Sequence, residues 1–162
     1  VPLLPAPITL QTLVVMLAGT LLGARKGFLT LLFFLLMVTF NLPLLAGGRG
    51  GIAALAGPTG GFVLSWPLAA GLIGLMTRNW WKKEKKLSFF QLLVANLVGG
   101  VMVVYLIGIP YLAWIADLSL TQAIIAGMIS FIPGDLIKVA LASYLAMQMN
   151  QVNPQLIGKM QA

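Results

Sequence analysis

The sequence predicts an all-α, polytopic membrane helix bundle, and three observations carry that prediction. Of the 162 residues, 60% are hydrophobic and only 8% are charged, against roughly 25% charged in a soluble domain, whose surface must be wetted. Apolar stretches near the length of a membrane span recur along the chain, each bounded by a breaker or a charge run. The cations fall in short clusters between those stretches, the pattern of juxtamembrane charge. The net charge of +7 therefore points to the lipid bilayer and not to nucleic acid. The length fits one transmembrane domain over residues 1–162 and leaves no room for a second.

Five candidate spans follow in order. The first runs from about Ile8 to Gly23, approached through Pro5 and Pro7. The second covers roughly Gly27 to Leu45, the third Gly61 to Thr77, and the fourth Leu87 to Ile109, ending before Pro110. The stretch Leu120 to Met149 is broken by Pro133-Gly134, so it reads as a short helix followed by a true span from Pro133. Arg25 and Lys26, then Arg78 with Lys82, Lys83, Lys85 and Lys86, then Lys159 fall in alternate connections. By parity these lie on one side, and the positive-inside rule makes that side cytoplasmic. Trp80 and Trp81 suit an interfacial belt beside the lysines. The opposite side collects the segment Ala6 to Thr12, a glycine-rich tract Gly47 to Gly61, the Pro110 to Ser119 connection and the Pro133-Gly134-Asp135 break.

The inventory of reactive side chains is thin. Histidine and cysteine are absent and the acids are Glu84, Asp117 and Asp135 alone. That argues against an enzyme, a catalytic residue or a metal site, and no cofactor is called for. Asp135 and Lys138 are the sharpest pair. An ionisable group at membrane depth costs about 2.5–3.5 kcal/mol on insertion scales, so it is usually paired or functional. At i, i+3 the two share a helix face. One reading has Asp135 capping the helix start with Lys138 neutralising it. The other has Asp135 accepting ligand N–H groups beside a cation for a ligand carboxylate.

Gly47-Gly48-Arg49-Gly50-Gly51 and Gly57-Pro58-Thr59-Gly60-Gly61 are too glycine-rich for a helix or an ordinary strand. Such a tract either forms a flexible outer hairpin with a solvated arginine, or turns backbone N–H groups and the Arg49 fork toward an anion. It lacks the glycine-lysine-serine/threonine ending of a nucleotide loop. Thr9, Gln11 and Thr12 either face the same cavity or cap the first helix. Asn96 and Gln91 read as interhelical hydrogen-bonding groups, and Gly19 with Gly23 as a small-residue packing face. Tyr105 and Trp66 read as interfacial anchors, with walls of an apolar pocket as the alternative.

Four blocks together resemble the BioY family of biotin-binding S components of energy-coupling-factor transporters. They are Pro7 to Leu13, Ala46 to Gly51, Gly57 to Gly61 and Pro133 to Lys138, in the family's order and over nearly the whole chain. The resemblance implies a six-helix S component with an outward-opening biotin pocket, in a bacterial cytoplasmic membrane. It also implies a transmembrane coupling subunit and two ATP-binding-cassette ATPases as partners. Asp135 and Lys138 match the last block residue by residue and are carried over as ligand-binding; the glycine tract with Thr59 is carried over as pocket cover. Arg49 and Gln11 join them on chemical grounds. Family members carry a helix ahead of the first block, so the resemblance further implies that the first of six helices is missing from this sequence. An S component or carrier for another small vitamin, or a membrane structural or assembly protein, are the rival readings.

Overall fold

The computed structural model describes residues 9–84 and 86–161; the expectations for Pro5, Pro7, Ile8 and Lys85 lie outside them. Among the described residues seven helical elements follow one another: α1 (Gln11–Thr39), α2 (Ile52–Ala56), α3 (Gly60–Glu84), α4 (Phe89–Ile115), α5 (Leu120–Ile129), α6 (Ile132–Val152) and α7 (Pro154–Gln161). There is no strand among the described residues, only a bridge between Leu45 and Arg49. α1, α3 and α4 are each long and apolar enough to cross a membrane, and α5 with α6, bent by 47° at their junction, make a fourth such unit.

α1 folds back on itself at Gly23, whose φ of 79° and extended ψ no side-chain-bearing residue adopts readily. A straight helix of 29 residues would hold its ends about 40 Å apart. Instead the Gln11 side chain donates to the Leu44 carbonyl at 3.1 Å, and a Cβ on Gly27 would lie 3.0 Å from the Ala18 carbonyl oxygen. The two legs, 11–22 and 24–39, are the first and second expected spans. Gly23 is thus the hinge of the hairpin, and its backbone also lies against Gly74 of α3. Gly19 packs as well, with its Cα against Ala70 and Ile73 of α3.

Two further boundaries, and the setting of one aromatic pair, differ from expectation. α4 runs through Pro110 to Ile115, since a membrane helix tolerates proline where its surroundings re-satisfy the backbone; its π-helical stretch at Val98–Val103 lies earlier, away from the proline. The glycine tract is also not wholly irregular, since it holds α2 and the first turn of α3. Its glycines permit contact: a Cβ on Gly60 would overlap the Leu55 carbonyl, and one on Gly61 would overlap the Tyr111 ring. Trp80 and Trp81 are partly buried against Leu87, Leu92 and Ala146, so they brace the basic end as much as they face an interface.

The core forms where the α1 hairpin lies on α3 and α4. Val15, Leu35, Val38, Trp66 and Val104 make one cluster, and Met16, Ile73, Tyr105, Ile109 and Val139 another. The outer face carries large apolar side chains in the open, among them Leu106 at 70%, Ile137 at 69% and Phe33 at 61% exposure. A water-facing surface does not carry so continuous an apolar cover; lipid must complete it. Buried polar groups are instead tied inward, as where Asn96 donates to Ser143 at 3.0 Å between α4 and α6. Gln91, expected to do likewise, closes a capping box with Ser88 and donates to Glu84 at the end of α3.

Candidate functional site

The polar residues that resist explanation as packing converge at the end of the bundle opposite the lysine cluster. Pro133 sits in the first turn of α6, and Asp135 follows in that turn. Its carboxylate does not cap the helix. One oxygen, Oδ1, accepts from Lys138 Nζ at 2.9 Å, and the other, Oδ2, accepts from the Tyr105 hydroxyl of α4. Lys138 Nζ also donates to Thr12 Oγ1 in the first leg of α1 at 3.0 Å. Asp135 and Lys138 are 8% and 7% exposed. The pair therefore joins three elements through one small network.

That network leaves capacity unspent. An ammonium has three donors and a carboxylate about four acceptor sites. Two of the lysine donors and two of the carboxylate sites are occupied by the contacts above. The remaining donor and acceptors belong to groups that line a cavity of about 710 Å³. This lies within the 300–1,000 Å³ range of small-molecule sites. Its walls are mainly apolar, with Phe62, Val63, Trp66, Val104, Leu112 and Phe131 among them. Phe62 and Tyr105 meet edge to face at 6.2 Å between centroids, which fixes the tyrosine ring from which the hydroxyl reaches Asp135.

All five residues singled out from the sequence line this one cavity: Gln11, Arg49, Thr59, Asp135 and Lys138. They are not equally placed. Asp135 and Lys138 are buried in the wall. Arg49 is exposed at the rim, with its Nε donating to the Ala46 carbonyl at 3.1 Å, so its terminal guanidinium nitrogens are left for another partner. Gln11 is half-buried and ties the first leg to Leu44, and Thr59 precedes α3 without capping it. Thr9 and Thr12 line the same space. Asp117 does not; it is exposed on the turn after α4.

Tyr105 and Trp66 correct the sequence reading. Both are buried, at 8% and 5% exposure, and both line the cavity; they are pocket walls and not interfacial anchors. The Trp66 indole N–H has no acceptor among the described residues, although a buried indole normally finds one. Tyr111, which the sequence reading passed over, donates to the Leu55 carbonyl at 3.0 Å and so pins the glycine tract onto α4.

Comparison with known proteins places these features in a family. Residues 1–155 match the sequence profile of the BioY family. The chain is 44% identical over 147 residues to a probable biotin transporter BioY of Bacillus subtilis, covering 91% of this chain and 76% of that protein. It is 43% identical over 147 residues to a biotin transporter BioY of Rhizobium etli, covering 88% and 76%. Its fold superposes on the crystal structure of the S-component for biotin from an ECF-type ABC transporter with a TM-score of 0.84. That match has 33% identity and covers 91% of this chain and 77% of the other.

Proposed function

Because the chain belongs to the BioY family, we propose that it captures biotin as the S component of an energy-coupling-factor importer, in the cytoplasmic membrane of a bacterium. The single observation that carries the site assignment is the Asp135–Lys138 pair, buried in the wall of the cavity with donor and acceptor sites unspent. Biotin has a ureido ring with two N–H donors, an apolar thioether ring and a carboxylate at the end of a flexible chain. The free lone pairs of Asp135 accept the ureido donors. Lys138 or Arg49 neutralises the carboxylate, and the apolar wall buries the bicycle. Few polar groups then fix the orientation while the apolar area supplies much of the affinity.

The pair also supports selectivity. A ligand of similar shape without donors would leave the carboxylate desolvated and short of partners, which a binding site of this kind discriminates against strongly. In this reading the glycine-tract end faces outward and the basic end faces the cytoplasm, as the clustering of cations directs. No glycine-lysine-serine/threonine nucleotide loop is present in the sequence, so energy comes from a coupling subunit and two ATP-binding-cassette ATPases.

The test is thermal stability of the detergent-purified protein across a panel of vitamins. A ligand that binds only the folded state stabilises it by about 2.7 kcal/mol at a hundredfold excess over its dissociation constant. A concentration-dependent rise with biotin and no other vitamin is expected. A rise with another vitamin instead would replace the substrate. No rise with any would remove the binding function.

A further inference from the structure

A second concavity lies at the basic end, on the face where the second leg of α1 meets α3. It is a groove of about 590 Å³ walled by Phe28, Leu29, Leu68, Leu72 and Leu75, with Arg25 and Arg78 also lining it. Neither arginine forms an ion pair among the described residues, where the only one joins Lys138 to Asp135. The Arg78 Nε is buried with no hydrogen-bond partner among them, an expensive arrangement for a cationic donor. Glu84 is engaged by Gln91, and Asp117 lies beyond the far end of α4. Two guanidinium groups thus flank an apolar channel with no anionic side chain paired to them among the described residues.

The groove joins the outer apolar surface directly, because Leu29, Leu68 and Leu75 are each about half exposed. From Leu68 to Arg78 is ten residues, about 15 Å of helix, or one half of a hydrocarbon core about 30 Å thick. Close helix contact sets its floor: Gly71 lies against the Phe28 ring and Gly74 against the Gly23–Ala24 backbone. An occupant must therefore be an anion at one end and an alkyl chain of single-leaflet length along the rest. We propose that this groove holds one anionic phospholipid, its phosphate between Arg25 and Arg78 and an acyl chain along Phe28, Leu72 and Leu75. The guanidinium fork matches phosphate geometry, and arginine near a membrane surface favours acidic lipid. A free phosphate ion would use the arginines and leave the apolar channel without purpose.

The experiment is native mass spectrometry of delipidated protein offered equal phosphatidylglycerol and phosphatidylcholine of the same chains. Phosphatidylglycerol should be retained roughly tenfold better, from two arginines acting near the surface. Arg25→Gln/Arg78→Gln should bring the ratio close to one, while millimolar inorganic phosphate leaves the bound lipid in place. A phosphatidylglycerol with a photoreactive acyl chain should label residues 24–29 and 68–78 of the unaltered protein, which decides the matter even if the double variant fails to fold. Equal retention of the two lipids, an unchanged ratio in a folded double variant, or labelling spread around the bundle would overturn the proposal. Displacement by phosphate alone would reassign the arginines to a free-anion site and overturn it too.

Discussion

At one end of the bundle Lys138 is 7% exposed and gives donors to Asp135 and Thr12; at the other, Lys82, Lys83 and Lys86 are exposed. The same side-chain chemistry therefore occurs in opposite settings. The exposed lysines keep their hydration and lose little if an individual contact is broken. Lys138 has given up water, and its charge is tolerable only while Asp135 holds it. The difference teaches where a ligand gains most: a group already desolvated and partly satisfied loses least on exchanging its last contacts for a ligand. The proposed function accordingly places recognition at the glycine-tract end, and orientation in the membrane follows from the basic end.

The comparison can be broken most severely at Lys138. Lys138→Met leaves a buried carboxylate without its cation, and loss of one partner from such a pair costs about 3–5 kcal/mol. Chemical denaturation in mixed micelles should show that drop together with loss of biotin binding. A smaller effect is expected at Tyr105. Tyr105→Phe keeps the ring against Phe62 but removes one hydrogen bond to the carboxylate, worth about 1.5–3 kcal/mol. Part of this should appear as weaker biotin binding in equilibrium dialysis, because Asp135 is then free to turn. Gly61→Ala acts on the tract that covers the cavity. Its Cβ would overlap the Tyr111 Cβ and ring, which costs about 1–3 kcal/mol where the backbone must give, read as a lower melting temperature. At the foot of the scale, Lys82→Gln/Lys83→Gln should change melting temperature and biotin affinity by no more than experimental error, since both side chains are exposed.

Much of this organisation is legible in the sequence because hydropathy and charge act through local periodicity. The spans, their alternation and the gathering of cations at one end follow from composition along the chain. So does the Asp135–Lys138 contact, because residues three apart on a helix share a face. The Ser88-x-x-Gln91 and Ser119-x-x-Gln122 boxes that start α4 and α5 are readable by the same logic and mark both helix starts. What the sequence hides is long-range. Tyr105 meets Asp135 across 30 positions, and nothing local distinguishes it from a tyrosine in an interfacial belt. Trp66 is concealed for the same reason. Gly23 reads as a packing glycine, and it does meet Gly74, but its second role as the hinge shows only in its positive φ. Pro110 reads as a stop by the rules for water, where an unpaired carbonyl is solvated easily. Inside a bundle the helix continues, since ending it there would strand more backbone groups than the proline does.

The central claim is that the buried carboxylate at the start of α6 reads the ligand, and biotin titration calorimetry of Asp135→Asn beside the unaltered protein tests it most directly. The substitution keeps size and shape but removes the charge that holds Lys138 and that is proposed to accept the ureido donors. Circular dichroism on the same samples establishes that both are folded. The account predicts affinity reduced by more than tenfold, above about 1.4 kcal/mol. A folded Asp135→Asn protein that binds biotin as tightly as the unaltered chain would contradict it.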